Sequence, residues 1–190
     1  MFNLNNQNKA AIGEAMVLAR LLLLGYYATI TNFTVKNSKS FDIFCRDDNS
    51  GKMVPVQVKT STCQSFHVGM THAPFFDSNG KVNISNGRKA VEEKVICPWI
   101  FVDITGTPKD PEFRFFILSR QQVIDIICSS EEWYLTGFPN RKKSLALNGT
   151  INIPLSWLEG EGVKANRNHI EWINPLSKIH MEDNWNNIWV

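Results

Sequence analysis

Apolar residues crowd the stretch from Ala15 to Leu24 so densely that almost no side of a helix there would be polar, and Gly25 ends the run. With the Ala- and Leu-rich residues before it, this predicts a helix over about Asn8–Leu24, covered on much of its surface. From Ala28 to Lys36, β-branched and aromatic residues alternate, as in a strand. Two shorter runs follow: Phe41–Cys45, and Met53–Thr60, where Val54, Val56 and Val58 alternate with Pro55, Gln57 and Lys59. Residues two apart in a strand share a face, so Gln57 and Lys59 project together, away from the valines. The polar stretch Arg46–Lys52 between the runs carries turn chemistry, which predicts a hairpin that brings Asp42 near Gln57 and Lys59.

Residues 61–86 read as loop, with Gly69, Pro74 and Gly80 among short hydrophobic pieces that leave room for one hairpin. Gly87–Val95 has helical composition and is stopped by Cys97-Pro98. Trp99–Ile104 is nearly all apolar, the mark of a central strand buried on both faces. Thr105–Glu112, with Pro108 and Pro111, reads as a turn or short loop, and Phe113–Leu118 as a strand. Ser119 suits the N-cap of a helix over Arg120–Cys128. Beyond it the signals are short: Glu131–Tyr134, a basic cluster, a strand-like Thr150–Ile153, and Trp157, Trp172, Trp185 and Trp189 as packing anchors. With no internal repeat or linker, the expectation is one domain over 1–190, with a core at about 8–128 and an irregular Trp-rich extension at about 129–190.

A hydrophobic fraction of 43% and a charged fraction of 20% exclude wholesale disorder. The net charge of +2 does not mark a strongly basic nucleic-acid binder, though it leaves room for a local basic patch. Cys45, Cys63, Cys97 and Cys128 form no CxxC pair and read as reduced, mostly buried thiols. The N-terminus is Asn- and Gln-rich rather than a secretory signal. Arg20 interrupts the most apolar window, so no membrane span is expected and the location expected is cytoplasmic.

The candidate chemistry lies in Glu14, Asp42, Gln57 and Lys59. On helical spacing Glu14 shares a stripe with Val17, Leu18 and Leu21, where a carboxylate is costly without a partner. Its bland role is that of an acid near a helix N-terminus, favoured by the macrodipole. Asp42 alone is an ordinary strand-end residue, and Gln57 and Lys59 alone are the wet face of a half-exposed strand. Together, an acid, an amide oxygen and an ammonium on one sheet face suit a hard divalent cation beside a phosphate. Cys63, His67 and His72 share one stretch but match no standard zinc spacing, and Asp103 is explained by its strand-end position. Arg141, Lys142 and Lys143 form a candidate DNA-phosphate contact whose ordinary meaning is a solvated loop.

In this order, from Glu14 on a helix through Asp42 to Gln57-Val58-Lys59 on strands, the chain resembles the PD-(D/E)XK nuclease superfamily. Residues 8–128 follow its αβββαβ order. The resemblance implies a restriction-endonuclease-like α/β fold: a central mixed sheet flanked by helices. It further implies a metal-dependent DNA endonuclease, suited to restriction, defence or a mobile element. Asp42, Gln57 and the Val58 carbonyl would bind Mg²⁺, with Mn²⁺ as a substitute, and Lys59 would orient or activate the attacking water. Glu14 would support the metal shell or the lysine and point toward both Asp42 and Lys59. The chain departs from the pattern at Phe41, where the family's name has Pro, and at Gln57, where Glu or Asp is usual. An amide brings no negative charge, which keeps open a non-catalytic nucleic-acid-binding or protein-interaction module on the same fold. A homodimer would let two sites cut two strands.

Overall fold

A computed structural model describes residues 4–31, 41–138 and 149–190. The basic cluster Arg141–Lys143 lies outside the described residues. The chain divides into two compact units, one built from 1–64, 97–120 and 181–190, the other from 65–96 and 121–180.

The first unit holds α1 (Asn6–Leu23), β1 (Tyr27–Ile30), β2 (Ile43–Arg46), β3 (Met53–Ser61), β5 (Trp99–Thr107) and β6 (Asp110–Leu118). The α/β expectation and the mixed sheet hold: the strand order is β1-β2-β3-β5-β6, antiparallel throughout except for β3 beside β5. Asn5 caps α1 by accepting the Asn8 N–H at 2.8 Å. Val17 and Leu21 of α1 pack on Ile43, Val56, Val58, Ile100, Val102 and Ile117, the even-numbered face of β3 and its neighbours. Gly13 permits this: a Cβ there would come within 1.9 Å of Thr60 Oγ1, so only glycine lets the helix settle on β3.

The predicted β2–β3 hairpin is present. Its turn is tied by Asp47, which accepts the Asn49 N–H at 3.0 Å and the Ser50 hydroxyl at 2.6 Å, and Gly51 takes a φ of 69°. The loop expected at Thr105–Glu112 is instead a tight hairpin, because β5 runs on to Thr107 and β6 starts at Asp110. Pro111 is tolerated there because β6 is the last strand of the sheet. The end of the chain then lies along β6. Ile117 N–H donates to Met181 O, Asp183 N–H donates to Phe115 O, and Arg114 grips Glu182 through two bonds of 2.8 and 2.9 Å. Trp185, buried against Phe115, is a packing anchor as expected, and the segment shields the sheet edge.

The second unit contains β4 (Ser65–Thr71), a 3-10 turn at Ala73–Phe75, α2 (Ile84–Lys94), nearly all of α3 (Arg120–Thr136), β7 (Thr150–Pro154) and α4 (Leu155–Leu158). Much of what read as loop at 61–86 is therefore ordered: β4 pairs with β7, and α2 begins three residues earlier than its composition suggests. Arg88 of α2 bonds both Glu92 and Asp125 of α3. The last two turns of α3 run beyond the expected end at Cys128, held by burial of Ser130 and Glu131 and by the Trp172 N–H bonded to Ser129. Among the described residues no helix is long and apolar enough to cross a membrane.

Candidate functional site: an acidic notch between two strands

Asp42 sits where β2 parts from β3. The last residue pair of that ladder is Ile43 with Val56, and Asp42 still donates its N–H to Val56 O at 2.9 Å. Further along, β3 stays paired with β5 on its other edge, and among the described residues no strand pairs with its β2 edge at Val58. The Asp42 carboxylate fills part of this gap: Oδ2 accepts the Val58 N–H at 2.7 Å and a bond from the Gln57 amide Nε2. That same Nε2 lies 3.4 Å from the Val58 carbonyl. Thr31 pins the approach, its hydroxyl donating to the Phe41 and Asp42 carbonyls at 3.0 Å each.

Two of these three groups present oxygen, the Asp42 carboxylate and the Val58 carbonyl. The Gln57 amide group occupies a point flanked by the Asp42 carboxylate and the Val58 carbonyl, both acceptors, which is where a positive group is favoured. Rotating that amide by half a turn presents its oxygen instead, and N and O of an amide are assigned from such networks. Asp42, Val58 and Gln57 are the ligands that the sequence reading names, and here they adjoin one another. Carboxylate plus neutral oxygens suits a small hard cation that keeps several waters.

The electrostatics point the same way. Burial raises the Asp42 pKa, and the Val58 N–H, the Lys59 charge and the Gln57 amide only partly oppose it. Glu14 is raised from 4.5 to about 7, first by burial and then by the charge of Asp42. Two half-buried carboxylates that disfavour each other's ionisation are relieved by a cation. The folded chain holds the Glu14 proton more tightly than the unfolded chain, so this residue stabilises the fold below about pH 4.5 and loses that effect as pH rises through about 7. Without added metal, Glu14→Gln should be more stable than the parent above pH 7, by about 1–2 kcal/mol after allowing for solvent screening. The two should converge in acid, as urea unfolding at a series of pH values would show.

Glu14 comes from the helix that covers the Val56 and Val58 face, and it feels the charge of Asp42. Lys59 projects from the other face of β3, with Nζ 5.0 Å from the centroid of the Trp99 ring. Trp99, opposite Gln57 in the parallel register and 2% exposed, is the residue that sequence reasoning missed. It opens the Trp99–Ile104 run, but only the register of β3 against β5 reveals that its indole lies under the lysine. A ring face holds an ammonium in place without neutralising it.

The other candidates are engaged elsewhere. His67 Nδ1 accepts the Gly69 N–H at 3.1 Å, and His72 bonds Glu131 at 2.5 Å in the second unit. Burial pushes the thiols of Cys45 and Cys128 up to about 11 and that of Cys97 up to about 12, so these three are poor nucleophiles.

No protein-family model matches the chain, and no curated protein matches it. Among solved structures it is similar to that of a bacterial homing endonuclease, I-Ssp6803I, with 14% identity, 86% of this chain and 81% of that chain covered, and a TM-score of 0.37. A superposition this loose carries no residue-by-residue correspondence.

Proposed function

We propose that this chain is a Mg²⁺-dependent endonuclease that hydrolyses phosphodiester bonds in DNA. The observation that supports this reading is the notch itself, where the Asp42 carboxylate, the Gln57 amide and the Val58 carbonyl meet beside Lys59. Asp42 and the Val58 carbonyl would hold the cation, with the Gln57 amide turned to offer its oxygen and Glu14 as the second carboxylate. When bound, Mg²⁺ supplies Lewis-acid polarisation of a phosphate oxygen and a bound water of lowered pKa. Lys59, steadied on Trp99, would hold the attacking water in line and stabilise the charge that develops on the phosphate. The water oxygen forms the new P–O bond, the P–O bond to the sugar breaks, and the departing oxygen takes up a proton.

A second reading is a non-catalytic nucleic-acid-binding or protein-interaction module. It is favoured by the neutral Gln57, whose amide already satisfies Asp42. Plasmid nicking separates the two. The purified chain should convert supercoiled DNA to nicked circles with Mg²⁺ or Mn²⁺ and leave it intact with EDTA. DNA left supercoiled under every metal condition would favour the module.

A further inference from the structure

The second unit contains a cavity of about 360 Å³ whose walls include Trp133, Tyr134, Phe138 and Trp157, with His72 and Glu131 among its lining. We propose that this cavity is a binding site for a nucleobase. It shares no residue with the notch and stands independently of that assignment.

His72 and Glu131 carry the argument. They come from opposite sides of a long stretch of chain, His72 just after β4 and Glu131 on α3, yet Nδ1 and Oε2 meet at 2.5 Å with side chains 6% and 5% exposed. Burying such a pair has a solvation cost that a purely apolar contact would avoid. An ionised carboxylate can only accept, so Glu131 fixes the proton on Nδ1 and leaves Nε2 as the other hydrogen-bonding atom of the ring. Nε2 is then the ring atom left to take a hydrogen bond from a ligand N–H or O–H.

The walls define the rest of that ligand. Tyr134 stacks on His72 with ring centroids 4.8 Å apart and planes 11° from parallel. Trp133 meets Phe138 and Trp157 edge-on at 5.1 and 6.4 Å. Such rings favour a flat aromatic guest. Among the described residues no Lys or Arg lines the cavity, and the rings and neutral polar groups there suit an uncharged guest. Asn152 and Thr150 in the lining add amide and hydroxyl groups. The volume lies at the small end of the roughly 300–1,000 Å³ common for ligand sites, right for one base with its sugar. A neutral, flat, N–H-bearing heterocycle with carbonyl or ring-nitrogen acceptors is a nucleobase.

That base has two possible sources: a free nucleoside, or a base unstacked from a strand. The test follows His72 ring signals by NMR in the full chain with labelled histidine. The probes are the four deoxynucleosides, a single-stranded oligonucleotide, and the same oligonucleotide with abasic sites. Saturable shifts of the His72 ring with at least one nucleoside identify the free form. Shifts with the oligonucleotide that vanish with its abasic form identify a base taken from a strand. In either case Tyr134→Leu, which keeps bulk but removes the stacking face, should weaken binding at least tenfold, and Glu131→Gln should change which bases bind. The proposal is overturned if no nucleoside shifts His72 and the intact and abasic oligonucleotides act alike, or if Tyr134→Leu binds as tightly as the parent.

Discussion

Lys59→Ala should reduce DNA nicking at least about 100-fold, the low end of what a positioned proton-transfer or charge-stabilising group contributes. The fold should survive, because Lys59 is part-buried and its ammonium over the Trp99 ring is worth about 1 kcal/mol. A urea unfolding midpoint close to the parent's would show that the lost activity is chemical. Asp42→Asn should lose activity to a similar degree for a different reason. An amide can still accept the Val58 N–H, so the local geometry persists, but the charge that would anchor the cation is gone. Calorimetry should therefore show Mg²⁺ binding weakened in Asp42→Asn and nearly unchanged in Lys59→Ala. Nicking by both variants at the parent rate would remove the catalytic assignment even with the fold intact.

The parts of the fold legible in the sequence are those whose periodicity is enforced by burial on one side. The β2–β3 hairpin is of this kind: Val56 and Val58 alternate with Gln57 and Lys59 because one face meets α1. α1 is legible by composition instead, and the all-round cover that its apolar run suggests is absent at Leu22 and Leu23, which are exposed. β4 has the same alternation, with Phe66 and Val68 buried, but Gly69 at a φ of 75° and the bulged pairing with β7 break its pattern. Its partner lies some eighty residues away, and no local signal announces so distant a pairing. The end of the chain is harder still. Met181–Val190 has no strand or helix period because it is held by single bonds to an edge strand and by the Trp185 ring, and neither leaves a repeat in the sequence. For the candidate site, residue type, spacing and the family resemblance single out Glu14, Asp42, Gln57 and Lys59, and the structure brings Asp42, Gln57 and Val58 together. The Asp42 carboxylate on the Val58 N–H and the Trp99 ring under Lys59 depend on where β2 stops and how β5 registers, which spacing does not encode.

Gln57→Glu tests whether the amide stands at a ligand position. In the parent the Gln57 amide donates to Asp42 and so offsets part of that carboxylate's burial. A glutamate there cannot donate when ionised, and it would add a third acid to a notch where Asp42 and Glu14 already hold their protons more tightly than usual. The metal-free variant should therefore be less stable than the parent near neutral pH and regain stability in acid, since protonating any of the three acids relieves the repulsion. A cation relieves it as well, without acid. Mg²⁺ affinity measured by calorimetry should rise about tenfold or more, equivalent to about 1.4 kcal/mol, with more protons released on binding than in the parent. Thermal unfolding should show the same linkage, with Mg²⁺ raising the midpoint of the variant more than that of the parent. Turnover is a separate matter, because a glutamate beside Lys59 can also draw the ammonium off the Trp99 face. If Gln57 is only a surface residue, affinity and its pH dependence will match the parent, and the notch is better read as a metal-free contact surface.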